Sequence, residues 1–123
     1  MHYVQGFVVP MDRDKRDAYH ALAEKAATFF LEQGAIRIVE AWGEDVPDGK
    51  VTDFKRSVAA QADEQIVFSW IEWPDKSTCE TAAQRMQGDE RFKMPDDLPF
   101  DGKRMIWAGF TPFLDRYRDD SAT

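Results

Sequence analysis

The chain has 123 residues, 43% of them hydrophobic and 13% aromatic, which is the size of one domain and too apolar for a disordered one. Sixteen Lys and Arg stand against 23 Asp and Glu, a net charge of −7, and the basic pairs Lys55-Arg56 and Lys103-Arg104 sit beside Asp53 and Asp101. That balance argues against nucleic acid or an anionic membrane as a partner, and no apolar run approaches the roughly 20 residues of a membrane helix.

Residues 3–9 are β-branched and aromatic and predict a strand that stops at Pro10. Asp12 or Asp14 can cap the helix that follows. Its Tyr19, Leu22, Ala23, Ala26, Phe29 and Phe30 recur at spacings of three and four, one apolar stripe, and Gly34 is its expected stop. Residues 35–43 read as a second strand. Val46-Pro47-Asp48-Gly49 is turn chemistry. Residues 51–60 are ambiguous between a short strand at 54–60 and a short helix capped by Thr52 or Asp53, and the strand is the preferred reading. Residues 65–73 form the clearest strand, ended by Pro74. A second long helix is expected over 76–87, capped by Asp75 or by Ser77 in a capping box with Glu80, and closed by Gly88. Residues 89–102 read as loop with one helical turn at 89–93, and 103–111 as the last strand. One α+β domain over 1–114 and a charged, fraying tail over 115–123 complete the organisation.

The order β-α-β-β-α-β predicts a ferredoxin-like sandwich, with an antiparallel sheet and both helices on one face. Such a sheet should turn a polar face to water. Here Ile66, Phe68 and Trp70 alternate with Val67, Ser69 and Ile71, and Met105 and Trp107 with Ile106, Ala108 and Phe110. Both faces are apolar. The face without helices therefore needs a cover, and a second copy of the sheet is the expected one, giving a homodimer.

Several stretches carry a family resemblance. They are Tyr3-Val-Gln-Gly-Phe-Val-Val9, Gly34-Ala-Ile-Arg-Ile-Val-Glu40, Asp45-Val-Pro-Asp-Gly-Lys-Val-Thr-Asp-Phe54, Val67-Phe-Ser-Trp-Ile-Glu72 and Pro99-Phe-Asp-Gly-Lys-Arg-Met-Ile106. On these blocks the chain resembles the YbaA-like family of small bacterial proteins, domain of unknown function 1428. The resemblance implies a dimeric α/β-barrel fold and supplies no activity and no catalytic residues. Some members carry the label of an RNA component of the signal recognition particle, which the acidic charge does not support. The wider fold group includes cofactor-free monooxygenases, isomerases and haem-binding enzymes, an analogy from fold alone.

The lone Cys79 and the two histidines leave no disulfide and no zinc-type ligand set, so neither metal nor cofactor is expected. The first residues lack the pattern of a signal peptide, and a cytoplasmic location is expected. Glu40 and Glu72 lie in or at the end of apolar strands near Trp42 and Trp73, where a carboxylate can have a raised pKa and act as acid or base. Solvated or ion-paired strand ends are the plainer reading of both. His20 could carry a proton or simply lie on the helix surface. Arg37 and Arg104 could clamp an anionic ligand or pair with acids. Trp42, Trp70, Trp73 and Trp107 could line a pocket or fill a dimer core. The expected function is binding of a small hydrophobic or anionic metabolite between sheet and helices. A cofactor-free monooxygenase or isomerase is the alternative, and a non-catalytic interaction module the third.

Overall fold

The computed structural model describes residues 2–89 and 98–118. The chain runs β1 (Tyr3–Asp12), a 3-10 turn (Arg13–Lys15), α1 (Arg16–Glu32), β2 (Arg37–Trp42), α2 (Phe54–Ser57), β3 (Glu64–Trp73), α3 (Lys76–Gly88) and β4 (Ile106–Phe110). All strand pairs are antiparallel, in the order β2-β3-β1-β4. This is the expected ferredoxin-like arrangement. The sheet of one chain is open and does not close into a barrel. No helix among the described residues is long and apolar enough to cross a membrane.

β1 runs on through Pro10 to Asp12 rather than stopping at the proline. β4 pairs only with Val4–Val8, so beyond Val8 the ladder partner of β1 is β3, with one further bridge from Met11 to Phe100. Pro10 thus occupies an edge-like position, where a missing N–H is tolerated. At the other end of α1, Gly34 takes φ +105° and ends the helix as expected. Its N–H donates to the Leu31 carbonyl at 3.1 Å, and the Ala35 N–H donates to Phe30 at 3.0 Å.

Residues 54–60 do not form the preferred strand. The apolar Phe54 and Val58 are four apart, a helical spacing, and Asp53 caps the turn between them by accepting from the Arg56 N–H at 2.7 Å. The same carboxylate accepts from the Gly49 N–H at 3.1 Å, tying α2 to the preceding turn. In α3 the cap is Asp75, which accepts from both the N–H and the hydroxyl of Thr78 at 2.7 Å. Ser77 lies inside the first turn, so the capping box read at Ser77 and Glu80 does not form. β4 starts at Ile106, three residues later than expected, because Asp101 folds residues 101–104 into a turn. Most of the helical turn expected at 89–93, and residues 119–123 of the expected tail, lie outside the described residues.

α1 and α3 pack on the sheet face that carries Val67, Ser69, Ile71 and Trp73. Ala35, Ile71, Trp73, Cys79 and Ala82 form one core cluster there, with Phe30 against it, and Val9, Met11 and Val67 form another. The Trp73 indole N–H donates to the Gln5 side chain at 2.8 Å, so the buried ring leaves no polar atom unmatched. The opposite face presents Val39, Trp70, Phe68, Val8, Ile106 and Phe110 by register. Phe68 and Phe110 there are 44% and 56% exposed, too open for core residues of one chain.

Candidate functional site

Glu40 of β2 and Ser69 of β3 are register partners, so their side chains leave the sheet side by side on the helix face. Tyr19, in the first turn of α1, lies above them. Its hydroxyl donates to Glu40 Oε1 at 2.6 Å. The Ser69 hydroxyl, on a residue 3% exposed, is within hydrogen-bonding reach of both partners. These three residues, with Lys25, form the polar part of an otherwise apolar wall.

That wall borders a half-open cavity of about 380 Å³, lined by Phe7, Leu22, Ala26, Phe30, Ile71 and Met86 among others, with Lys25 also contributing. A second cavity of about 310 Å³ shares Tyr19, Ala23, Ala27, Ile38 and Glu40 with the first, and adds Arg16, His20, Glu24 and Trp42. Tyr19 and Glu40 therefore stand between an apolar chamber and a charged vestibule. Glu40 is itself an exposed residue, and it lines both cavities.

Removal from bulk water raises the Glu40 pKa above the usual carboxylate value, and the hydrogen bonds from Tyr19 and Ser69 offset part of that rise. Burial and the neighbouring carboxylate push the Tyr19 phenol well above its ordinary range. Tyr19 is thus a permanent donor and Glu40 an acceptor of hydrogen bonds or protons.

The remaining sequence candidates lie outside the Tyr19, Glu40 and Ser69 cluster. His20 is exposed at the vestibule, 3.7 Å from Glu24. Trp42 lines the same vestibule and lies under the Arg16 guanidinium, 5.1 Å from its ring centroid. Arg37, Glu72 and Trp70 share the open sheet face. There Glu72 accepts from the Trp70 indole at 3.1 Å and faces Arg37 at 3.7 Å. Arg104 forms two 2.7 Å bonds to the Glu64 carboxylate, and reaches Asp101 at 3.0 Å and the Ala59 carbonyl at 2.9 Å. Trp107 stands on edge strand β4, 63% exposed. Of these candidates, the structure brings Glu40, His20 and Trp42 to one vestibule and Glu72, Arg37 and Trp70 to the opposite face.

Tyr19 and Ser69 were not singled out as site residues by the sequence. Tyr19 reads as the head of an apolar stripe. Ser69 does carry a signal, as the polar residue between Val67 and Ile71 on the helix-facing row, but its partner depends on a strand register that spacing alone does not supply.

The sequence model of the family described as "Protein of unknown function (DUF1428)" matches residues 2–102. The chain is 54% identical over 116 residues to "Uncharacterized protein YbaA" of Escherichia coli strain K12, covering 94% of this chain and 99% of that one. The protein of the same name from Shigella flexneri matches to the same extent. Among solved structures, a crystal structure of a dimeric ferredoxin-like protein from an uncultured marine organism superposes with a TM-score of 0.59. It is 8% identical and covers 94% of this chain and 98% of its own.

Proposed function

The chain belongs to the DUF1428 family of YbaA-like proteins, and from that premise we propose that it is a homodimer that binds a small hydrophobic molecule between sheet and helices. The observation that carries this reading is the apolar chamber of about 380 Å³, within the size range of small-molecule sites. Its walls draw mainly on α1 and the sheet, with Phe100 and Met105 contributed by the segment before β4. The anionic alternative has less support. Arg37 and Arg104 do not line the chamber, and each faces a carboxylate. The homodimer rests on the open apolar sheet face and on the dimeric state named for the ferredoxin-like neighbour.

A second reading, a cofactor-free enzyme of the isomerase type, is favoured by one observation. Glu40 combines a raised pKa with access to the chamber, as a proton-accepting group would need. Native mass spectrometry of protein purified from its own host tests the binding reading. The expected spectrum is a dimer with retained mass that disappears in a chamber-filling variant, Ala26→Trp. Retained mass that is indifferent to that substitution would place the ligand elsewhere.

A further inference from the structure

We propose that the chamber selects apolar ligands carrying an N–H or O–H donor, received by Glu40, and discriminates against apolar anions. This rests on reading the chamber as a small-molecule site. The argument is a count of donors and acceptors where chamber and vestibule meet. A carboxylate has about four lone-pair positions. Tyr19 fills one at 2.6 Å and Ser69 lies within reach of another. No ion pair to Glu40 forms among the described residues. The donor side is spent: the single O–H of Tyr19 points at Glu40, and the single O–H of Ser69 has Glu40 and Tyr19 as its acceptors. The cluster therefore has acceptors to spare and no free hydroxyl donor.

A ligand with one donor completes that set. An anion would bring further acceptors and a like charge against that carboxylate. Among the described residues, Lys25 is the one cation on the chamber wall. It belongs to an exposed residue of α1, whose long stem can cover apolar surface while the ammonium stays in solvent. The vestibule brings Arg16, His20 and Glu24 near Glu40. Arg16 lies over Trp42, and His20 faces Glu24. The ligand class that fits is thus an apolar body with a single amine or hydroxyl head.

Three probes sharing one aromatic body test this. N-phenyl-1-naphthylamine carries an N–H donor, its N-methyl derivative lacks the donor, and 1-anilinonaphthalene-8-sulfonate adds an anion. Fluorescence titration of the wild-type protein is expected to rank the amine first, by roughly tenfold or more over either relative, the worth of a hydrogen bond to a charged acceptor. Glu40→Gln keeps an acceptor for Tyr19, removes the charge and adds donors, so it should compress the gap to the sulfonate. Ala26→Trp, with Ala26→Met as a milder filler should the indole prevent folding, should weaken binding of the amine. Competition by 1-naphthylmethylamine and by 1-naphthalenemethanol distinguishes a cationic from a neutral donor, and success of either supports the inference. Sulfonate binding as tight as that of the amine, blocked by Ala26→Trp and lost in Lys25→Met, would overturn the selectivity and leave the chamber reading intact. Equal binding of the amine and its N-methyl derivative would likewise overturn the donor requirement alone. Binding that neither filler weakens would place the probes outside the chamber and remove the underlying reading itself.

Discussion

Glu40 occupies a strand row that otherwise directs Ile38 and Trp42 toward α1. Ionising a carboxylate there forfeits hydration, and the Tyr19 and Ser69 hydrogen bonds return only part of it, so its pKa in the folded chain lies above the ordinary 4.5. The folded state then holds the proton more tightly than the unfolded state does. Stability from this group is fullest below the ordinary carboxylate pKa, and falls as pH rises through that value and on through the raised one. Glu40→Gln removes the titration while keeping an acceptor for Tyr19. Urea midpoints of both proteins at about pH 4 and about pH 8 should show the variant gaining on the wild type as pH rises. An advantage that is flat or shrinks with pH would mean that Glu40 is fully hydrated in the folded chain. The site was legible in the sequence to this extent: an acid between Val39 and Ala41, close to Trp42, stands out in an apolar strand. Its partners were not, because Tyr19 is 21 residues away and Ser69 meets Glu40 only through the register of β2 on β3.

The elements that orient this site meet at Gly34, where α1 ends and the chain turns into β2. A φ of +105° is rarely open to a side-chain-bearing residue, and a Cβ added there would stand 2.9 Å from Thr78 Cγ2 of α3. Gly34→Ala should therefore cost roughly 1–2 kcal/mol from the backbone conformation alone, read as a lower urea midpoint with an unchanged slope. A variant as stable as the wild type would mean that α1 ends in another conformation. Elements of this kind could be read from the sequence where one residue type dominates the local energetics. Gly34 stops α1, and the long alternation of residues 65–73 gives β3 almost its full extent, Glu64–Trp73. Where several local preferences compete, tertiary contacts decide. Asp53 has both the Gly49 and Arg56 N–H groups to accept from, which draws residues 54–57 into a helical turn. Arg104 is held by Glu64, Asp101 and the Ala59 carbonyl, so the chain is fixed as a turn before it becomes β4. Burial and the fork from Arg104 also act against each other on Glu64, and the guanidinium wins, holding that carboxyl below its usual range.

At the scale of the whole molecule, the two sheet faces have different fates. One is covered by α1 and α3 and carries the chamber. The other leaves Phe68 and Phe110 about half open, beside Trp70 and Val39, with α2 reaching only as far as the edge-on contact of Phe54 with Phe68 at 6.0 Å. A stable interface buries on the order of 800 Å² on each partner, and an apolar sheet face meeting its own copy can supply that by symmetry. Phe68→Asp and Trp70→Asp each place a charge in the middle of that face without touching the chamber, whose wall draws on Ser69 and Ile71 of the same strand but on the other side. Sedimentation of the wild type should give a dimer, and of both variants a monomer or aggregates, with far-UV circular dichroism retained in whatever stays soluble. Well-folded dimers from both variants would remove the face from any part in assembly. Soluble monomers that still bind the naphthylamine probe as tightly as the wild type would separate the two faces functionally, with assembly on one side of the sheet and a chamber complete within a single chain on the other.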